Sequence, residues 1–460
     1  MTGLPDDPMA GRTIADLARA IRGGALSAEA VTRACLGRIA RLDPALDAWD
    51  HVATDQAIAA ARAVDAAVAQ GRDPGPLGGV PVAVKDLLAV EGMPTTGGSH
   101  IPVDDLCGPE GGFVRKLRAT GAVILGKVRT VEFAFGATGI NLVRGTPWNP
   151  ADPREHRIPG GSSSGPAVAV AAGMAAFAIG SDTGGSVRNP AALCGIFGLK
   201  TTHGLWPLDG VVPLAPTFDS IGLLTRSAAD AATVFAALEH AAPPAVPALA
   251  GLRLAQPTGY EGPVEPAVAE AFAAALERLR AAGVVITEVA VPEAAERETI
   301  FPPTFAIELM DRFGAERFAA TRARMDPVVA KRFSLALGAD RAAYRAGIAR
   351  HRALVAEMRA RISGVDGWIL PTTTITAPRV ADFADPDLGL RLTMGITRNT
   401  QPVNLFGQCA VSVALPGTAL PVGLQIAAAP GRDRALIGLA CAVEGAIGTP
   451  PLPDVRPFLR

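Results

Sequence analysis

Along the first seventy residues, apolar and polar positions alternate at helical spacing. Residues 13–21 place apolar side chains three and four apart, with Thr13 at the cap position and Gly23-Gly24 as a stop. Ser27 opens a second helix with Ala30, Val31, Ala34, Cys35 and Ile39 on one stripe, and an alanine-rich helix is predicted over 54–69. From residue 77 the pattern changes. Residues 80–84 form a short apolar run ending in charge at Lys85-Asp86, which predicts a buried strand. A helix over 111–120 and a second buried strand over 121–126 follow. The alternation continues with an apolar helix over 167–177, a short buried element over 195–200 and a helix over 227–238. Strands are predicted over 252–256 and 284–289, around a helix over 266–282. Residues 300–362 read as largely helical. Apolar runs over 368–370, 409–415 and 422–428 predict three further strands, and 433–445 the last helix. Helices alternating with buried strands predict an α/β/α domain: a large mixed twisted sheet covered by helices on both faces. Pro243, Pro244 and Pro247 mark a connection that leads into an elaboration of the same fold.

Composition narrows the function classes. A chain of 460 residues is long enough for a large core, and 49% hydrophobic against 19% charged residues excludes a disordered tail. Lys and Arg number 43 and Asp and Glu 44, a balance that gives no support for a nucleic-acid partner. The 50 glycines and 39 prolines exceed an average mixture and predict many turns and long connections. Five scattered cysteines without a CxxC indicate neither a disulfide framework nor a thiolate zinc site. The segment Met1 to Asp7 lacks the basic-then-apolar pattern of a secretory leader, and no run of 18 apolar residues occurs. These features predict a cytoplasmic protein without a transmembrane segment.

Three segments stand out for chemistry. They are Pro81-Val82-Ala83-Val84-Lys85-Asp86, Pro159-Gly160-Gly161-Ser162-Ser163-Ser164-Gly165 and Gly180-Ser181-Asp182-Thr183-Gly184-Gly185-Ser186-Val187-Arg188. Glycines turn the backbone tightly and bring amide N–H groups close to a ligand. Two Gly-Gly-Ser clusters separated by an apolar helix suit a polar site built from loops at sheet edges. Taken alone, a Gly-Gly-Ser is a turn; the weight comes from the surrounding order.

That order resembles the amidase signature family. Besides the two glycine–serine segments, the resemblance includes Cys194-Gly195-Ile196-Phe197-Gly198-Leu199-Lys200, Leu77-Gly78-Gly79-Val80-Pro81 upstream, and Asn404-Leu405-Phe406-Gly407 and Leu420-Pro421-Val422-Gly423-Leu424-Gln425 downstream. It covers nearly the whole chain. It implies a Ser–cis-Ser–Lys triad, with Ser186 as nucleophile, Ser162 as the middle serine after a cis Gly161–Ser162 peptide, and Lys85 as terminal base. Ser163, Asp182 and Arg188 take supporting roles. Residues 77–235 then form the signature core, 1–70 an N-terminal helical segment, 245–365 a helical elaboration on the substrate side and 366–460 the rest of the core. Two departures are Ser164, where many members carry glycine, and Pro166, which fits the first turn of the next helix.

The chemistry has its own logic. A serine hydroxyl attacks only when a neighbour takes its proton. A lysine among apolar groups such as Val82, Ala83 and Val84 is shifted toward the neutral amine that accepts one. The backbone N–H groups of Thr183, Gly184, Gly185 and Ser186 are candidates to surround the developing oxyanion. The implied activity is hydrolysis of linear carboxylic amides, aryl or aliphatic, with carbamates and esters as side activities. It proceeds through an acyl-Ser186 with water as co-substrate and needs no cofactor or metal. The resemblance is compatible with a monomer or homodimer. Apolar stretches at 93–98, Phe133-Ala134-Phe135, Trp206-Pro207-Leu208, 301–309 and Phe333 favour a greasy or aromatic substrate portion.

Other readings compete. The glutamine-hydrolysing component of a glutamyl- or aspartyl-tRNA amidotransferase, which releases ammonia for its partner subunits, shares the resemblance. Glutamine calls for polar recognition groups, which Lys331-Arg332-Phe333 and residues 387–391 do not convincingly supply. A non-catalytic binding relative is disfavoured by the presence of Lys85, Ser162 and Ser186 together. Residues 161–165 also fit G-x-S-x-G with Ser163 as nucleophile, but residues 154–159 are no strand. Residues 121–128 nearly spell a P-loop and fail at Val128, where a hydroxyl residue is required.

Overall fold

Eleven strands form one sheet in the computed structural model, which describes residues 4–260 and 262–459. Met1, Thr2 and Gly3, on which part of the leader reading rests, lie outside the described residues. The strands are β1 (Trp49–Val52), β2 (Pro81–Lys85), β3 (Val123–Val128), β4 (Phe177–Asp182), β5 (Phe197–Lys200), β6 (Ser220–Thr225), β7 (Arg253–Thr258), β8 (Val285–Ala290), β9 (Gly367–Pro371), β10 (Cys409–Leu415) and β11 (Val422–Ala428). Their spatial order is β1-β3-β2-β4-β6-β5-β10-β11-β9-β7-β8. Pairing is parallel for β2 with β3 and β4 and for β7 with β8 and β9, and antiparallel elsewhere.

The apolar runs explain the layering. Every residue of β2 to β6, β10 and β11 is buried, as strands covered on both faces require. Helix Ser164–Ala171 packs against β2, β3, β4 and β6, and helix Asp433–Ile447 against β10 and β11. At the far edge, β8 is largely exposed. The strands that follow Pro243, Pro244 and Pro247 join this same sheet. Helix starts follow their caps. Thr13 forms a capping box with Asp16, Ser27 accepts from the Ala30 N–H, and Ser227 accepts from the Asp230 N–H. Among the described residues no helix is long and apolar enough to cross a membrane.

The helix expected over 167–177 is corrected. It spans Ser164–Ala171, the chain turns at Gly173 with φ +68°, and Phe177 opens β4. An apolar run buried on all sides carries no period to separate helix from strand. Strands β1 and β6 and helix Arg188–Cys194 lie outside the sequence expectations. Within β6, position 222 takes a glycine because a Cβ there would lie 2.3 Å from the Leu199 carbonyl oxygen of β5.

Candidate active site

The parallel pairing of β2 and β4 sets Val84 opposite Ile179, so the two strands end side by side. β2 ends in Lys85 and β4 in Ser181 and Asp182. Lys85 Nζ donates to Ser162 Oγ and to Ser181 Oγ, each at 2.8 Å. The amine is fully buried. Burial pushes its pKa down to about 7, while the Asp182 and Asp219 carboxylates pull the other way. At neutral pH a large share of Lys85 is therefore free amine, able to take a proton.

The peptide between Gly161 and Ser162 is cis. Ser163 ties this turn to its surroundings. Its N–H donates to the Ser186 carbonyl at 3.1 Å. Its hydroxyl donates to the Ser181 carbonyl at 3.2 Å and accepts from the Ser181 N–H at 3.3 Å. Gly180 makes room, since a Cβ there would lie 2.8 Å from Ser163 Oγ. Ser163 is thus buried against β4 and follows a loop, without the strand a nucleophile elbow needs.

Asp182 organises the glycine loop. Oδ1 accepts from the Gly185 N–H and from Arg188 Nη2, both at 2.9 Å, and Oδ2 from the Val187 N–H at 3.1 Å and Arg188 Nε at 3.0 Å. The pair is fully buried. Although burial raises a carboxyl pKa, the Arg188 charge and hydrogen bonds outweigh it and hold Asp182 well below the usual range. Arg188 reaches on to Gln425 Oε1 and Asn404 Oδ1, both at 2.6 Å, and to the Thr400 carbonyl at 3.1 Å. Gly185 has φ +122°, and a Cβ on it would lie 2.2 Å from Thr400 Oγ1.

One expected contribution is corrected. Asp182 holds the Gly185 N–H, which removes Gly185 from the expected oxyanion donors. The N–H groups of Thr183, Gly184 and Ser186 meet no acceptor among the described residues. Thr183 is fixed by its hydroxyl, which donates to Asp219 Oδ1 at 2.6 Å. Asp219 Oδ2 in turn accepts from the Leu214 and Ala215 N–H groups at 3.0 Å.

Ser186, Thr183 and Gly184 line a cavity of about 280 Å³. Phe135, Phe301 and Phe305 make its apolar wall, and Thr393, Thr397 and Gln401 face it from helix Pro386–Thr397 and the start of helix Gln401–Leu405. Of the stretches expected at the pocket, Ala134, Phe135, Phe301, Pro302 and Phe305 line it. The rest do other work. Phe333 packs edge-on to Phe133 and Phe313, and Trp206 packs on Phe113 and Phe235. In the 93–98 loop, the Pro94 carbonyl and the Thr95 hydroxyl accept from Lys127, which is buried with Asp86. The reading that the stretch Lys331-Arg332-Phe333 does not convincingly supply a polar recognition group at the pocket is corrected as well. Phe333 turns into the core, while its neighbour Arg332 lines the cavity. Sequence reasoning assigned no role to Ser181, Asp219, Thr400, Asn404 or Gln425. Ser181, Asn404 and Gln425 lay in recognised segments, but their partners are up to more than two hundred residues away, and spacing carries no signal at that range.

The family described as Amidase matches residues 30–437. The chain is 38% identical to a 2-amino-5-chloromuconic acid deaminase of Comamonas testosteroni, over 95% of this chain and 96% of that one. It is 37% identical to a component of the glutamyl-tRNA(Gln) amidotransferase of Acidothermus cellulolyticus, over 95% and 94%. A crystal structure of an amidase superposes with a TM-score of 0.86 at 29% identity, covering 95% of this chain and all of that one.

Proposed function

The chain belongs to the amidase family, enzymes that hydrolyse amide C–N bonds, and on that premise we propose that it cleaves linear aryl or aliphatic amides through an acyl-Ser186 intermediate. The observation that carries this reading is the buried Lys85–Ser162 hydrogen bond beside a cavity that Ser186 lines. Neutral Lys85 takes a proton from Ser162, which takes one from Ser186, and Ser186 Oγ adds to the carbonyl carbon. The N–H groups of Thr183, Gly184 and Ser186 receive the oxyanion. When the tetrahedral adduct collapses, the C–N bond breaks and the nitrogen leaves with the proton returned from Lys85 through Ser162. Water then adds to the ester carbonyl and gives its proton along the same path. The carboxylic acid departs and Ser186 is restored. Carbamates and esters undergo the same addition, and the Phe135, Phe301 and Phe305 wall favours an apolar or aromatic body.

A second reading is release of ammonia from glutamine, as in the amidotransferase. It is favoured by Arg332, Thr393, Thr397 and Gln401 on the cavity wall. Hydrolysis of a matched anilide, aryl carbamate, aryl ester and L-glutamine by the protein and its Ser186→Ala variant separates the two. The expected result is anilide or carbamate turnover that falls by at least about 10³-fold in the variant. Turnover confined to glutamine moves the assignment to the second reading. Turnover that survives in Ser186→Ala overturns Ser186 as nucleophile.

A further inference from the structure

Among the described residues lining the cavity, Arg332 is the one cation. Its Nη1 donates to the Phe135 carbonyl at 2.5 Å, and it forms no ion pair among the described residues. By contrast, Arg188 and Arg129 each face carboxylates. A guanidinium has five N–H donors in a fixed fork, so most of its capacity is unspent. Burial pulls its pKa down and the nearby Asp326 carboxylate pushes it up. An arginine stays charged at neutral pH in either case.

The surroundings hold this charge in place. Arg332 sits on helix Pro327–Ser334, whose cap Asp326 uses Oδ1 for the Val328 and Val329 N–H groups and Oδ2 for the Leu142 N–H. The Asp326 carboxylate is therefore committed elsewhere. The Asp326 N–H donates to Glu132 Oε2 at 2.7 Å, and Glu132 Oε1 accepts from Ser99 Oγ at 2.6 Å. The helix start is thus pinned to the same turn whose Phe135 carbonyl receives the guanidinium. Gly136 leaves the space, because a Cβ there would come within 3.1 Å of Arg332 Nη1. A charge held at both ends and open toward a cavity is preorganised for an anion.

We infer that Arg332 anchors a carboxylate of the substrate, so that the substrate class is an amide whose apolar or aromatic body also bears a carboxylate. This rests on the hydrolase reading above for what happens at Ser186, but the anchor itself is a binding property. The planar fork of Arg332 matches the two oxygens of a carboxylate. Phe135, Phe301 and Phe305 take the body between the anchor and the glycine loop.

Two substrate pairs test the class and locate the carboxylate. Glutaranilic acid against its methyl ester places the charge on the acyl arm, and N-butyryl-4-aminobenzoate against butyranilide places it on the amine arm. In at least one pair the carboxylated member should have the higher kcat/KM, and Arg332→Met should shrink that ratio by about 30-fold or more, chiefly through KM. Arg332→Lys should retain part of the preference. Equal turnover within both pairs, or a ratio unchanged in Arg332→Met, overturns the anchor. Calorimetry on Ser186→Ala with glutaranilic acid and with N-butyryl-4-aminobenzoate reads binding without turnover. Binding lost in Ser186→Ala/Arg332→Met, and regained in part in Ser186→Ala/Arg332→Lys, supports the anchor even if the parent protein hydrolyses nothing, in which case the hydrolase reading alone fails. Absence of Arg332-dependent binding for both probes overturns it. Unchanged melting temperatures of the Lys and Met variants exclude loss of fold as the cause.

Discussion

Lys85 is the residue on which the proposed chemistry turns. Desolvation at the end of β2 holds its pKa at about 7. Only the neutral amine accepts a proton, so kcat/KM for an anilide should be low when Lys85 is protonated and rise as pH increases through about 7. Measurement from pH 5 to 9 checks the position of this limb. Lys85→Met should lower kcat/KM by roughly 10²- to 10⁴-fold and abolish the limb. A limb unchanged in the variant would assign it to another group. The charged end of an apolar run placed Lys85 in the sequence, and the family resemblance made it the candidate base. Its second partner, Ser181, was not legible, because that contact depends on β2 and β4 being neighbours in parallel register.

At the scale of elements, helix Ala228–Leu238 begins where Glu444 of helix Asp433–Ile447 reaches it. Both Glu444 carboxylate oxygens accept from the Ala228 N–H, at 3.1 and 3.0 Å. Burial raises the Glu444 pKa from 4.5 to about 7. The folded state thus favours the protonated acid more than the unfolded chain does. This contribution is complete below about pH 4.5 and is lost as pH rises through about 7, a change of roughly 3 kcal/mol. Glu444→Gln keeps an acceptor for Ala228 without the ionisation. Its denaturation midpoint should gain on the parent as pH rises from 4.5 to 7.5, which chemical denaturation across that range measures. The same two helices show which element boundaries local sequence decides. The first, expected over 227–238, runs over Ala228–Leu238 with Ser227 at its cap, and 409–415 and 422–428 are strands as read, whereas the uniformly apolar 167–177 divides into helix, turn and strand.

Across the whole molecule, Arg188 joins parts of the chain that are far apart in sequence. It links the end of β4 through Asp182 to Asn404, to the Thr400 carbonyl and to Gln425 on β11. Removing one partner of a buried ion pair leaves the other charge uncompensated, which typically costs about 3–5 kcal/mol. Arg188→Met should lower the unfolding free energy by roughly that amount. It should also reduce kcat/KM, because Asp182 holds the Gly185 and Val187 N–H groups on either side of Ser186. Urea denaturation and anilide kinetics on the same preparation test both effects. Stability lost without any change in kcat/KM would confine Arg188 to a structural role.

The chain's own sequence determined the class of fold, most helices and strands, and the glycine–serine segments that carry the resemblance. These are local properties: residue period, caps and ordered motifs within a few tens of positions. Only the tertiary structure decided that Lys85 meets both Ser162 and Ser181, that Asp182 takes the Gly185 N–H out of reach, and that Arg332 rather than Phe333 faces the cavity. Each of these depends on strand order and on which side of a helix packs inward. Strand order follows from how separate buried runs pair across the sheet. Several sequence-compatible pairings exist for such runs, and packing of the complete chain selects one of them.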